Sequence, residues 1–386
     1  MMIRSLTASA VIALACLIGM VGMAPPASAH SVSGVGATNW KTVLTKVAPV
    51  VPGVTIKVVE DGSRLELINH GPEILVYGYE GEPYLRVGPL GVFINTLSPA
   101  AYLNCSRKGC PVPSFANATA KPKWEKISSG QMILWHDHRT HWMGSALPPD
   151  VVSAPGARHV QAHWTVSMAQ GSTVISASGY YVWQPGPSFI PWLPLLLGLC
   201  ALGLVLALTR SFRWLAVATG VVAAVDLGHA IVISWFWAGN WVYKVSELFE
   251  GSSYQIPGWV LGFLAVRLLW KHRAMGAKFA AVAGASAVLF TGAFDFTVLD
   301  RSQAPFDGSI LVDRICVSIC LGLGLGVLLG AVWLLRADRP GAEEAVAGDD
   351  DVAALPDPST GPSDAGGTQS NAGPDAAPIA EPAGGR

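Results

Sequence analysis

The sequence contains little charge for its length. Only 13% of its 386 residues are Asp, Glu, Lys or Arg, whereas 51% are hydrophobic. An ordinary soluble domain has about 25% charged residues. The formal net charge is −1, so no basic surface for nucleic acid is indicated. The excess of apolar residues instead predicts membrane-spanning segments in contact with membrane lipid.

Motifs of the common enzyme classes are also missing. The chain has no phosphate-binding glycine loop, no Ser-His-Asp signature and no paired catalytic carboxylates, so nothing identifies a hydrolase, a transferase or an ATP-driven pump. It has no Cys-x-x-Cys motif and no Met-x-x-x-Met ladder, which a dedicated copper pump would be expected to carry. No catalytic residue is predicted, and enzymatic activity is left open.

Cysteine is scarce, and its six positions divide into two groups. Four cysteines lie in apolar runs, where thiols usually serve in packing: Cys16, Cys200, Cys316 and Cys320. The other two, Cys105 and Cys110, lie in a polar region and are separated by only four residues. In an oxidising compartment this spacing predicts a short loop closed by a disulfide.

Residues 1–29 have the pattern of a secretory signal peptide. Arg4 precedes an apolar run that extends to Met23, and the small residues Ala27 and Ala29 form a cleavage signal. Cleavage after Ala29 would make His30 the first residue of the mature chain. An uncleaved anchor helix is the alternative, and the cleavage signal argues against it.

Residues 30–187 are predicted to form one exported β domain. Apolar and polar residues alternate over 55–69 around the turn residues Asp61 and Gly62, which indicates a β-hairpin. Further predicted strands lie at 74–79, 84–87, 91–95, 131–138, 159–168 and 172–183, with a loop-rich section over 96–130. This pattern predicts an all-β sandwich of immunoglobulin-like or cupredoxin-like type.

Residues 188–337 are predicted to form an all-α bundle of five transmembrane helices. The apolar runs, each long enough for a ~30 Å hydrocarbon core, are 189–209, 214–237, 254–270, 276–298 and 309–335. Lys and Arg are concentrated in the loops that would then be cytoplasmic, which places the β domain outside. The tail over 338–386 is predicted to be disordered and cytoplasmic. The chain is therefore predicted to be a multi-pass plasma-membrane protein.

The segment Trp135–Trp142 contains three histidines: His136, His138 and His141. A His-x-His pair on a strand directs both imidazoles to one face, and imidazole is the commonest metal ligand. His30 could add its amine and ring, which together suit copper better than zinc. His141 would have the opposite parity and could belong to a second site. The alternative is a structural loop, in which Asp137 pairs with Arg139 and the histidines bond to backbone carbonyls.

These features resemble the exported copper domain of the particulate methane monooxygenase B subunit, which also has a mature N-terminal His and a His-x-His pair. The Trp-His-Asp-His-Arg motif is also similar to one in uncharacterised exported multi-pass membrane proteins of actinobacteria. The first resemblance implies a cupredoxin-like fold with His30, His136 and His138 as copper ligands.

Copper acquisition, delivery or resistance in the cell envelope would follow from that resemblance, with a copper-handling or envelope protein as partner. Two alternatives stay open. One is a structural or binding protein of the envelope that holds no metal, and the other is a subunit of a copper-dependent oxidase or monooxygenase.

Several polar residues interrupt the predicted helices. Asp226 and His229 are three residues apart and share a helix face, and Asp295 lies in the outer half of the fourth run. Charged groups at this depth usually face the bundle interior or a water path. They predict an ion or proton step, a place to receive copper, or a hydrogen bond that fastens helices. Asp313 and Arg314 are expected to act as an interface anchor.

Overall fold

The computed structural model describes residues 36–106 and 108–337. The predicted signal peptide (1–29), His30 and the predicted tail (338–386) lie outside the described residues, so their predictions stay predictions.

Ten strands in the described residues form two antiparallel sheets. They are β1 (Trp40–Ala48), β2 (Val54–Val59), β3 (Arg64–Asn69), β4 (Ile74–Tyr77), β5 (Pro83–Gly88), β6 (Gly91–Asn95), β7 (Trp124–Ser128), β8 (Met132–His136), β9 (His159–Gln170) and β10 (Thr173–Trp183). The larger sheet has the order β1-β10-β9-β4-β5-β6-β7, and the smaller sheet has the order β2-β3-β8. The predicted sandwich is confirmed in this coarse form.

The core of this β region lies between the two sheets. Its buried side chains come from the smaller sheet and from the central strands of the larger one, and they include Leu65, Leu67, Trp135, Val76, Val87, Val166 and Met168. In β2 the alternate residues Thr55 and Lys57 are exposed, as the alternation predicted. In β3 Leu65 and Leu67 belong to the core, and the alternate residues Arg64 and Glu66 are buried as well. At the tip of that hairpin, Glu60–Gly62 forms a short 3-10 turn.

Three details of the predicted strands were wrong. Two strands were not predicted from the sequence: β1, whose consecutive apolar residues do not alternate, and β7, whose side chains are mostly exposed. The section over 96–130 holds β7 and a short helix, α1 (Ala100–Leu103). The strand predicted over 131–138 ends at His136, because the chain turns at Asp137, whose carbonyl accepts from the Thr140 amide at 3.0 Å.

The remaining helices follow α2 (Pro149–Ser153). They are α3 (Trp192–Leu208), α4 (Phe212–Trp235), α5 (Trp241–Gly251), α6 (Ile256–Trp270), α7 (Met275–Ser286), which continues as a π-helix over Ala287–Ala293, a 3-10 helix over Phe296–Leu299, and α8 (Ile310–Ala337). Within the described residues, three helices are long and apolar enough to cross a membrane: α4, α7 with its π-helical continuation, and α8. The apolar helices α3 and α6 are shorter, so five spans are not established.

Small residues let α3 and α8 pack closely. A Cβ atom added to Gly203 would lie 3.0 Å from Gly326 of the facing helix. Glycine at such crossings brings helix backbones into direct contact, as is common between membrane helices. The bundle is therefore held at this point by backbone packing.

The β region is joined to the loop between α7 and α8 by hydrogen bonds. Thr38 and Gln303 exchange backbone hydrogen bonds of 3.0 and 2.9 Å. The Ser302 amide donates to the Asn39 side chain at 2.9 Å, and the Ser302 hydroxyl donates to the Gln184 carbonyl at 2.7 Å. These contacts connect both ends of the β region to the bundle.

Candidate functional site

The Trp135–Trp142 segment folds around a buried ion pair. Asp137 is fully buried and accepts from Arg139 through Nε and Nη2, each at 2.7 Å. The Trp135 indole donates to the same carboxylate at 3.1 Å. The Arg139 guanidinium also lies 4.8 Å above the ring of Tyr79. The pairing of Asp137 with Arg139 that the structural alternative predicted is confirmed.

Each histidine of the segment lies against a backbone carbonyl of another loop. Nδ1 of His136 is 3.0 Å from the Ser63 oxygen, Nε2 of His138 is 3.2 Å from that of Ser106, and Nδ1 of His141 is 3.1 Å from that of Gly62. A carbonyl accepts only, so these nitrogens carry the hydrogen. In a neutral imidazole the opposite nitrogen then has the lone pair that a metal would use.

The expected copper ligands do not form a set within the described residues. Because the strand ends at His136, the predicted placement of His136 and His138 on one strand face is wrong. The rings of His138 and His141 meet edge to face, with centroids 5.7 Å apart. No group of three His, Cys, Asp or Glu side chains over 36–106 and 108–337 is placed to hold a metal ion, and His30 is not described.

The predicted disulfide is present. Cys105 and Cys110 are bonded, with their Cα atoms 5.9 Å apart. The loop that they close supplies the Ser106 carbonyl that contacts His138. The disulfide therefore restrains the loop against which His138 packs.

Tyr79, at the end of the strand predicted over 74–79, is a member of this site that was not predicted from the sequence. Its hydroxyl accepts from the His138 amide at 3.0 Å and donates to the Asn104 side chain. Burial, and then the charge of Asp137, raises the pKa of Tyr79, and burial raises that of Tyr84. Burial therefore favours the neutral form of both phenols.

A second group of polar side chains is buried inside the helix bundle. His229 of α4 lies with its Nε2 atom 2.6 Å from the Asp313 carboxylate of α8 and 4.0 Å from that of Asp295. His229 is 2% exposed and Asp313 is 6% exposed. One imidazole therefore lies beside two carboxylates in the interior of the bundle.

Asp226 lies one turn before His229 and accepts hydrogen bonds from neutral donors. The Trp259 indole of α6 donates to its carboxylate at 2.8 Å, and the Thr291 hydroxyl of the π-helix donates to the other oxygen. The Gln255 amide reaches Thr291 at 2.7 Å and Asp226 at 3.4 Å. π-Helical turns occur frequently at functional sites, and this one carries Thr291 to the carboxylate.

Asp226, His229, Asp295 and Asp313 are called the intramembrane cluster below. The first three were predicted from the sequence as polar residues of the bundle. Asp313 was predicted to be an interface anchor, which is wrong, since it is a buried partner of His229. Arg314 alone behaves as an anchor, since its guanidinium donates to the carbonyls of Val298 at 3.0 Å and Arg301 at 2.7 Å.

Comparison with known proteins assigns no family. No protein-family model matches the chain, and no curated protein or solved structure matches it. The resemblance to the copper domain of particulate methane monooxygenase and the cupredoxin-like fold therefore stay predictions.

Proposed function

We propose that this chain is an integral plasma-membrane protein whose helix bundle binds and transfers protons at the intramembrane cluster. The observation that carries the proposal is the buried contact of 2.6 Å between His229 and Asp313, with Asp295 at 4.0 Å. Buried carboxylates are stabilised by nearby cations or hydrogen-bond donors, and the His229 imidazole lies close to both of these carboxylates. Chains of Asp, Glu and His inside membranes are typical of proton relays.

The proposed topology has five membrane-spanning helices, an extracytoplasmic β region and a cytoplasmic tail. The placement of Lys and Arg supports it, as does the Cys105–Cys110 disulfide, which is typical of an oxidising compartment. The helix α3 has 17 residues and α6 has 15, which rise roughly 26 and 22 Å. Flanking residues or local thinning of the bilayer would complete these two spans.

Proton flux into liposomes tests this function. The full chain is reconstituted with a pH-sensitive dye inside, and a potassium diffusion potential drives protons inward. We expect His229→Gln and Asp313→Asn to reduce the flux at least tenfold, since each removes a titratable group of the cluster. His272→Gln, in an exposed turn, is the matched control and should transport like the native chain. Flux that is unchanged in both cluster variants would refute the proposal.

A second candidate function is copper binding in the β region, for acquisition, delivery or resistance. It is favoured by the carbonyl contacts of His136 and His138, which fix the tautomers as in many metal-ligating histidines. The site requires His30 as a third ligand, with zinc as the less favoured metal. An envelope-binding role without metal and an oxidase or monooxygenase role are the alternatives.

Copper binding is tested on the mature chain, residues 30–386 with His30 as the first residue, by metal analysis and electron paramagnetic resonance. One residue added before His30 blocks the amine and should weaken binding severely. The double variant of His136→Ala and His138→Ala should do the same, whereas His163→Ala, outside the segment, should not. Binding that survives both changes would exclude this site.

A further inference from the structure

A small cavity lies beside His229 between α4 and α5. The centre of a water molecule can occupy about 10 Å³ of this cavity, which is enough space for one water. Its lining is largely polar and includes His229, Ser234, Trp237, Glu247 and Ser252. A single water in this cavity would have enough polar partners to be held there.

The indole of Trp237 indicates that a polar molecule belongs in this cavity. Trp237 is 3% exposed, and its Nε1 atom has no hydrogen-bond partner among the described residues. Buried donors are almost always paired with protein or ordered water. Glu247 is 5% exposed and lines the same cavity, so a water there would lie between a carboxyl group and the His229 imidazole.

On its other side, Glu247 is linked to the β region. Tyr243, one turn earlier on α5, interacts with the Glu247 carboxylate. Arg64 of β3 in turn donates to the Tyr243 hydroxyl at 3.1 Å. Tyr243, Arg64 and His136 line an open groove of about 320 Å³. Solvent in this groove therefore reaches the polar side chain that contacts Glu247.

We infer that Glu247 is the entry residue for protons, which pass from the groove beside β3 through one water to His229. The carboxyl group of Glu247 gives its proton to the water oxygen, and that water gives a proton to the imidazole. Glu247 is then a carboxylate beside Tyr243, and His229 is an imidazolium between Asp313 and Asp295. The inference rests on the proposed proton transfer at the intramembrane cluster and adds its route of access.

The test is proton flux by the full chain in liposomes. We expect Glu247→Gln to reduce flux at least tenfold, because the amide cannot release a proton. Glu247→Asp keeps a carboxyl group and should retain at least a third of the flux. Trp237→Phe removes the donor that holds the water and should reduce flux severalfold. Glu250→Gln, on the same helix but exposed, is the matched control and should leave flux unchanged.

The outcomes separate this inference from the proposed function. If His229→Gln abolishes flux while Glu247→Gln and Trp237→Phe transport like the native chain, the cluster stands and the route is wrong. If the native chain carries no flux, both are wrong. Size-exclusion profiles and melting temperatures identify a variant that has failed to fold. If Glu247→Gln does not fold, Trp237→Phe and Glu247→Asp decide, and native flux in Trp237→Phe with none in Glu247→Asp refutes the water route.

Discussion

The buried carboxylate of Asp137 in the β region and that of Asp313 in the helix bundle have partners of different kinds. Asp137 accepts from Arg139, and a guanidinium keeps its charge at every physiological pH. Asp313 contacts the imidazole of His229, and imidazole is the side chain whose ordinary pKa lies closest to physiological pH. A permanently charged partner fixes a carboxylate in place, whereas a titratable partner allows the pair to exchange a proton. For this reason we place the proposed proton transfer in the bundle.

The largest effect is expected from removing the charge of each aspartate in turn. Asp137→Asn leaves Arg139 mostly buried without a counter-charge, and breaking such a pair costs about 3–5 kcal/mol of unfolding free energy. Asp313→Asn keeps an oxygen that can accept from His229, so its cost should be about 1 kcal/mol. Denaturant unfolding in detergent, followed by tryptophan fluorescence, measures both.

Asp150→Asn is the control for this pair, because the Asp150 side chain is 51% exposed and its replacement should change stability by roughly 0.5 kcal/mol or less. Equal losses in Asp137→Asn and Asp313→Asn would mean that the two carboxylates are both structural. The contrast on which the proposed function depends would then be lost.

A smaller effect is expected from opening the disulfide loop. Replacing Cys105 and Cys110 together by Ser removes a cross-link between residues separated by five positions. A loop this short restricts the unfolded chain little, so the cost should be about 2 kcal/mol. Unfolding of the double variant is compared with that of Cys200→Ser, which removes a thiol of the bundle that is free in the structure.

Because Ser106 lies inside the disulfide loop and contacts His138, the double variant should also loosen the histidine segment. Proton flux should stay within twofold of the native value, because the proposed route begins at Arg64 and Tyr243 and not at the disulfide loop. A larger loss would show that Cys105, which also lines the groove beside β3, shapes the entry for protons.

The sequence predicted those parts of the molecule that depend on local patterns. The 55–69 hairpin, the apolar helices and the Cys105–Cys110 loop follow from alternation, hydrophobic length and spacing, which need no partner from elsewhere in the chain. The exposed edge strand β7 carries no such pattern and was not predicted. The topology of the sheets joins strands far apart in sequence, and a pattern along one strand does not specify its neighbour.

The candidate sites show the same division. Asp226 and His229 were noticeable because polar residues are rare in an apolar run. Their partners Trp259, Thr291 and Asp313 belong to other helices, and only the packing of the bundle selects them. Asp137 and Arg139 are two residues apart, so their pairing could be predicted. Contacts between residues a few positions apart can therefore be predicted from the sequence, whereas contacts between different helices cannot.

The smallest effect is expected at Tyr79, whose phenol lies beside the Asp137 pair. Tyr79→Phe removes one hydrogen bond to Asn104 and one from His138 and should cost about 1 kcal/mol at neutral pH. Burial raises the pKa of Tyr79 in the folded state, so the phenol ionises first in the unfolded chain. Its neutral form therefore contributes stability below pH about 10, the ordinary pKa of tyrosine, and this contribution is lost as pH rises above it.

Above pH about 10, a buried phenol such as that of Tyr79 should lower the free energy of unfolding by about 1.4 kcal/mol per pH unit. Unfolding curves of the native chain and Tyr79→Phe at several pH values measure the effect, and Tyr254→Phe, at an exposed tyrosine, is the control. The stability difference between native and Tyr79→Phe proteins should shrink in alkali and then reverse, because only the native chain loses the contribution of Tyr79. A stability difference that stays constant with pH would show that the Tyr79 phenol ionises as readily in the folded protein as in the unfolded chain. The site around Asp137 would then exchange protons with solvent, and the contrast with the proposed site in the bundle would be lost.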